Sequence, residues 1–150
     1  MPALSIDSPV GRLTVTETDG AITAVDWNGN AQDETELLVA ARDQLHQYFG
    51  SGSHVIDLPV RVAGSTFLTE TCAAMSATPA GEPRTYGEIA RNLGVSAQAA
   101  GQGCGANPVP IIIPCHRVLA GNGVGGYSGD GGVERKIELL KLEGGFPFLI

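Results

Sequence analysis

The chain has 150 residues, 43% of them hydrophobic, with three cysteines and a formal net charge of −7. That supplies one good core or two small ones without disulfides, and three cysteines with no C-x-x-C pair speak against a disulfide framework and against a zinc site of that pattern. No stretch approaches the roughly 18 apolar residues of a membrane span and the N-terminus lacks a signal-peptide pattern, so a cytoplasmic protein with no membrane partner is expected. The charge is uneven. Residues 1–75 hold three basic and ten acidic side chains, whereas 76–150 hold six of each. Tight, charge-driven binding of nucleic acid normally draws on clustered Lys and Arg, which neither half provides.

Leu4 and Ile6 alternate with polar residues, Ser8-Pro9-Val10-Gly11 turns the chain, and Leu13 and Val15 alternate again. With the turn signal Asp19-Gly20 and an apolar stretch from Ile22 to Trp27, residues 3–27 read as an antiparallel meander with one wet face. Asp33 is the expected cap of a helix over 34–49 whose apolar stripe is Leu37, Ala41, Leu45 and Tyr48, stopped by Gly50. Val55 to Val62, broken by Pro59, reads as a linker or edge strand, and a domain boundary is expected near Ala63-Gly64.

Ser65 or Thr66 opens a short helix through Met75 with Phe67, Thr71, Cys72 and Met75 on one face. Thr85-x-x-Glu88 is a capping box for a helix with Ile89, Ala90 and Leu93 inward and Gly94 at its end. Ser96 caps the next helix at once, over roughly 97–105, giving the outline of a helix-turn-helix. That second helix is almost bare: Ala97, Ala99, Ala100, Gly101, Gly103 and Gly105 carry little bulk, which fits close approach either to another helix or to a narrow groove.

Ile111 to Ile113 reads as a buried strand delivering Pro114-Cys115-His116-Arg117-Val118. Only a thiolate is a useful nucleophile, and a cysteine with a pKa of about 8.5 needs a base; His116 is adjacent. Taken alone, a Cys-His dipeptide is far more often a small buried hydrophobe beside a satisfied surface group, by roughly ten to one, and only its context overturns that. A glycine-rich stretch over 121–132 matches no phosphate-loop pattern and suits a loop that folds over a ligand through Tyr127 and Ser128. The last helix is expected over 133–143, burying Val133, Ile137 and Leu140. It ends at Glu143, where the helix dipole disfavours a carboxylate unless that carboxylate orients something, such as His116.

Asn107-Pro108, the isoleucine run, Pro114-Cys115-His116-Arg117-Val118, Gly126-Tyr127-Ser128 and Lys136-x-x-Leu139-Leu140-x-x-Glu143 together resemble the O6-alkylguanine-DNA alkyltransferases. The resemblance spans about residues 64–145 and includes Thr85-Tyr86-Gly87-Glu88-Ile89-Ala90. It implies a small α/β N-terminal domain of ribonuclease H-like topology over 1–63. A mainly α-helical domain with a helix-turn-helix follows over 64–150. The implied activity is DNA repair by direct reversal, with irreversible transfer of the alkyl group from O6-alkylguanine to Cys115. The implied partner is double-stranded DNA, entered through the minor groove, and the implied state is a monomer without cofactor or metal.

In the same resemblance His116 takes the thiol proton through a water, Glu143 holds the imidazole and Asn107 braces the adjoining turn. Tyr86 promotes flipping of the nucleotide and reaches the leaving base. Thr85, Tyr86, Ser96, Ala97, Gln98, Ala99 and Arg117 fall at DNA-facing positions, and Tyr127, Ser128 and the Val118 carbonyl at positions facing the extruded guanine. One departure stands out: Gln98 occupies the position of an intercalating arginine, and it brings neither charge nor a guanidinium plane to stack. Two rivals remain open, a non-catalytic alkyltransferase-like protein that binds lesions and a Cys-His-Glu hydrolase.

Overall fold

The computed structural model describes residues 1–120 and 132–144. The chain begins with the expected meander. Strands β1 (Ala3–Ser8), β2 (Gly11–Thr18) and β3 (Ala21–Trp27) pair antiparallel in the order β1-β2-β3. Leu4, Ile6, Leu13 and Val15 are buried by period-2 alternation, and Ile22 and Val25 of β3 are buried on either side of an irregularity in the β2–β3 register at Thr16/Glu17.

Helix α1 (Glu36–Ser51) covers that face. Its cap is Thr35, whose hydroxyl accepts from Leu38 N, and Gly52 closes it in the left-handed conformation. Asp33, the expected cap, instead accepts from the Ala3 backbone NH at 3.0 Å, and Gly50 lies inside the helix. The buried stripe is Leu38, Ala41, Leu45, Tyr48 and Phe49, so Leu38 rather than Leu37 faces the sheet and Leu37 is only partly buried. The segment after α1 is tied first to that helix, with Gln44 bonded to both backbone groups of Asp57, and then meets the outer edge of β3 at one bridge, where Ile22 N donates to Pro59 O and Arg61 N to Ile22 O. The edge is thereby partly paired rather than open.

Ser65 caps α2 (Thr66–Ser76), and Thr71, Cys72 and Met75 are buried along it. Thr85 and Glu88 form the expected capping box at the start of α3 (Tyr86–Leu93), which ends at Gly94 with φ 69°. Ser96 then caps α4 (Ala97–Gly105). The glycines of α4 divide by face. A Cβ on Gly103 would press against Thr71 and Phe67 of α2, so this glycine permits helix-helix approach, whereas Gly101 and Gly105 face open space.

The isoleucine run is not a strand. Ile111 has φ 73°, Ile112 N donates to Pro110 O, and Ile113 N donates to Val109 O, so the chain folds into a tight turn. Left-handed backbone costs a β-branched residue about 1–3 kcal/mol and persists only where neighbours enforce it. Asn107 supplies that enforcement, with Nδ2 donating to Ile113 O and Oδ1 accepting from Val109 N, both at 2.9 Å. The turn leads into a 3-10 turn over Cys115–Arg117.

Two short strands tie the next segment to the start of α3. Strand β4 (Arg84–Thr85) runs parallel to β5 (Val118–Leu119), pairing Arg84 with Val118 and Thr85 with Leu119. Helix α5 (Gly132–Leu142) buries Lys136, Leu139 and Leu140; Val133, expected inside, is 42% exposed. Arg135 on α5 stacks 3.9 Å over Trp27 at the end of β3, so the last described helix bridges back to the sheet. The buried apolar side chains of both halves form one continuous cluster, from Leu4 to Leu139.

Candidate active site

Cys115 is 4% exposed and His116 0% exposed, both held by the 3-10 turn at the end of the braced loop. A backbone turned this tightly sends adjacent side chains in different directions, and His116 reaches Glu143, 27 positions on. His116 Nε2 lies 2.7 Å from Glu143 Oε2, with both side chains inaccessible to solvent. Glu143 sits just past α5, its backbone NH donating to Leu139 O. With Nε2 facing a carboxylate, the neutral imidazole carries its hydrogen there and leaves Nδ1 as the acceptor. Nδ1 is buried and has no hydrogen-bond partner among the described residues.

Burial is the main reason His116 has a pKa below the ordinary imidazole value, outweighing the support of Glu143, and the positive charges of Arg117 and Lys136 push the same way. Burial alone would raise the pKa of Glu143. Hydrogen bonds from His116 and Arg117 override it and lower the carboxyl to about 2. At neutral pH the pair is therefore a neutral imidazole on a carboxylate, the protonation state in which a histidine can accept a proton.

Arg117 clamps the same carboxylate. Its Nε donates to Oε1 and Nη2 to Oε2, each at 2.9 Å, and Nη1 donates to Thr78 O at 2.8 Å. Its side chain is only 15% exposed. An arginine at a DNA-facing position of the sequence pattern is thus directed inward here, because a fully buried carboxylate needs a paired cation to remain ionised. Tyr48 of α1 also donates its phenol proton to Glu143 Oε2.

Lys136, which enters the sequence motif without a role of its own, is a buried charge beside the site. Its side chain is fully buried, with Nζ donating to Val118 O at 2.6 Å and lying 3.4 Å from the Tyr86 hydroxyl and 5.5 Å from the centre of that ring. Burial lowers its pKa to about 8, against the opposing pull of Cys115 and Cys104. The available signal was the spacing Lys136, Leu139, Leu140, Glu143, which puts Lys136 on the same inward stripe as the two leucines. The Tyr86 phenol, pushed up to about 12 by burial first and by Cys104 and Cys115 second, stays protonated. Burial chiefly raises Cys72 to about 11 and Cys104 to about 12, so neither is a thiolate near neutrality.

The structure thus brings His116, Arg117 and Tyr48 together on Glu143, with Cys115 next to His116 in the chain, and places Val118, Lys136 and Tyr86 as a second group on which the Cys115 charge acts. Thr85, Ser96, Ala97, Gln98 and Ala99 lie at the starts of α3 and α4; Ser96, Ala97 and Gln98 are exposed, and Thr85 and Ala99 half-buried. Tyr127 and Ser128 lie outside the described residues. Among the described residues no group of three or more His, Cys, Asp or Glu side chains is placed to hold a metal ion, and no helix is long and apolar enough to cross a membrane.

A buried cysteine beside a carboxylate-held histidine, on a helical unit containing a helix pair and following a small sheet-and-helix unit, is an architecture with known relatives. Residues 66–145 match the 6-O-methylguanine DNA methyltransferase, DNA binding domain, and residues 4–62 the ribonuclease-like domain of the same family. The chain belongs to the 6-O-methylguanine DNA methyltransferase family. The methylated-DNA--protein-cysteine methyltransferase of Mycolicibacterium paratuberculosis is 36% identical, covering 93% of this chain and 90% of that protein. The protein of the same name from Metallosphaera sedula is also 36% identical, over 91% and 89%. A crystal structure of Mycobacterium tuberculosis OGT in complex with DNA superimposes with a TM-score of 0.86 at 35% identity, covering 96% of this chain and 93% of that one.

Proposed function

We propose that this protein repairs DNA by direct reversal, moving the alkyl group of O6-alkylguanine to its own Cys115. The observation that carries the reading is the 2.7 Å contact between His116 Nε2 and Glu143 Oε2 in a solvent-free pair next to the cysteine. His116 Nδ1 takes the thiol proton through a bridging water, Glu143 holds the ring and offsets the charge that appears on it, and Asn107 keeps the loop rigid. The thiolate attacks the alkyl carbon, forming the S–C bond as the bond from that carbon to O6 breaks. Guanine leaves with the electron pair and takes a proton from the Tyr86 phenol, which regains one from water as His116 releases the proton it took, so the proton lost by the thiol balances the one gained by the base. A thioether is not readily hydrolysed, and each protein molecule acts once.

The alkyl carbon is out of reach inside a stacked duplex, so the nucleotide has to be turned out of the helix. We assign the DNA face to the starts of α3 and α4, with Thr85, Tyr86, Ser96, Ala97, Gln98 and Ala99. Bare side chains there suit the minor groove, which is only about 6 Å wide. Tyr127, Ser128 and the Val118 carbonyl would read the extruded guanine, and Lys136 would steady that carbonyl while placing positive charge beside the reacting sulfur. Arg117 acts from behind, through Glu143, rather than on phosphate. Action as a monomer in the cytoplasm, with the two-part division near Ala63-Gly64, completes the proposal.

Incubation with a duplex carrying O6-methylguanine, followed by intact mass measurement, tests it. One methyl adduct on the wild type and none on Cys115→Ala is the expected result. Tight lesion binding without an adduct would favour the non-catalytic lesion-binding reading.

A further inference from the structure

A fully buried carboxylate needs its oxygens satisfied, and Glu143 draws donors from distant parts of the chain. His116 and Arg117 are its neighbours in the reacting segment. Among the described residues the remaining donor is the Tyr48 hydroxyl, 95 positions away on α1 and itself only 1% exposed. The packing around it is close: a Cβ on Gly52, the αL residue capping α1, would collide with the Leu142 carbonyl at the end of α5. The ends of α1 and α5 therefore meet, and the meeting carries the phenol to Glu143. Phenylalanine would fill the same volume and keep the edge-on contact with Phe49, at 5.2 Å between ring centres, so packing does not call for the hydroxyl.

The phenol binds Oε2, the oxygen that faces His116 Nε2. A donor there, beside the Arg117 Nη2 that also donates to Oε2, draws charge away from the imidazole side and limits which lone pair of Oε2 can accept the imidazole N–H. We propose that Tyr48 is a positioning residue for alkyl transfer: its phenol aims Glu143 at His116 and restrains the carboxylate's hold on the ring, leaving Nδ1 as the base facing the thiol. The sheet-and-helix half of the chain thereby takes part in the chemistry. This inference rests on the reaction proposed above.

Its sign follows from the charges acting on His116, namely Glu143, Arg117 and Lys136. Arg117 and Lys136 oppose protonation of the ring and Glu143 favours it. Tyr48 weakens only the favourable partner, so removing its hydroxyl moves the protonation midpoint of His116 upward. Losing a donor also raises the Glu143 midpoint. Both changes shift the acid limb of a transfer-rate profile to higher pH.

The test compares Tyr48→Phe with wild type by NMR titration of the His116 ring, identified by its loss in His116→Gln, and by single-turnover transfer rates across pH. Phe49→Leu, which disturbs the neighbouring ring without touching Glu143, controls for packing. The expected result is an upward move of the His116 midpoint by about half a pH unit or more, a factor of about three in protonation. Transfer slows correspondingly on the acid limb, and Phe49→Leu shows neither change. Superimposable titrations for Tyr48→Phe and wild type would overturn the inference. If wild type carried no alkyl group after reaction, the assigned chemistry would fall, and the titration would still decide whether Tyr48 governs His116.

Discussion

Glu143 holds His116 from 27 residues away, carboxylate oxygen to ring nitrogen at 2.7 Å, with neither side chain reached by solvent. In water such a contact would contribute little, but burial strengthens each of its charge-assisted bonds and makes the loss of any partner costly. The arrangement ties a protonation state to a fold, so chemistry and stability respond to the same substitutions.

Glu143→Gln keeps the shape and removes the charge. The imidazole loses its anionic partner, and Arg117 becomes a buried cation without its carboxylate. Single-turnover transfer is expected to slow by about 100-fold, the scale of a positioned acid-base group. Stability is expected to fall by about 3 kcal/mol, as for a broken buried pair. Quenched-flow rates and urea unfolding measure the two effects.

Stability should fall with acid over two pH ranges. The folded-state pKa of His116 lies below its ordinary 6.5, so below 6.5 the unfolded chain binds the extra proton and stability declines as pH falls. The folded-state pKa of Glu143 is about 2 against an unfolded 4.5, so its contribution is complete above 4.5 and is lost as pH falls through about 2. Urea midpoints from pH 7 to 3 should change little near pH 7, decline below about 6.5, and steepen below about 4.5. A rise in stability between pH 6.5 and 4.5 would contradict these shifts.

Lys136→Met separates function from stability. Burying the ammonium lowers its pKa from 10.5 to about 8, so the charge costs stability at neutral pH; the cost fades as pH rises from about 8 towards 10.5. Methionine removes that cost but gives up the bond to Val118 O. The variant should melt no lower than wild type, while transfer slows at least about tenfold, the scale of a lost charge near reacting atoms. Thermal melts and single-turnover rates read the two separately.

Gln98 stands exposed near the start of α4, a helix without lysine or arginine. Gln98→Arg adds a cation and a plane that stacks in the space left by a flipped base. Duplex affinity and transfer rate should both rise, and the slope of log affinity against log salt should steepen by about one. Unchanged affinity and rate would remove Gln98 as the weak point of DNA engagement.

Much of this molecule was legible in the sequence where a local rule governs. Alternation gave the meander, and Ser65, Thr85 with Glu88, Gly94 and Ser96 marked helix ends correctly because caps satisfy their own neighbours. Errors arose where a distant partner decides. Asp33 and Thr35 are both good caps, and the Ala3 backbone NH claims the former. The isoleucines read as a strand because periodicity cannot register that Asn107 folds them into a turn. Hydrophobicity put Val133 inside, whereas the buried position belongs to Lys136, whose partners lie on Val118 and Tyr86. Tyr48 and Leu45 look alike on a helical stripe, and nothing local marks the tyrosine as a donor to a carboxylate 95 residues on.

Peptide mapping after reaction with an O6-methylguanine duplex tests the central claim most directly, because the chain offers three thiols, Cys72, Cys104 and Cys115. The account predicts one methyl group per protein molecule, on the peptide containing Cys115, with guanine restored in equal amount. A methyl group on Cys72 or Cys104, or many guanines restored by protein that stays unmodified, would contradict it.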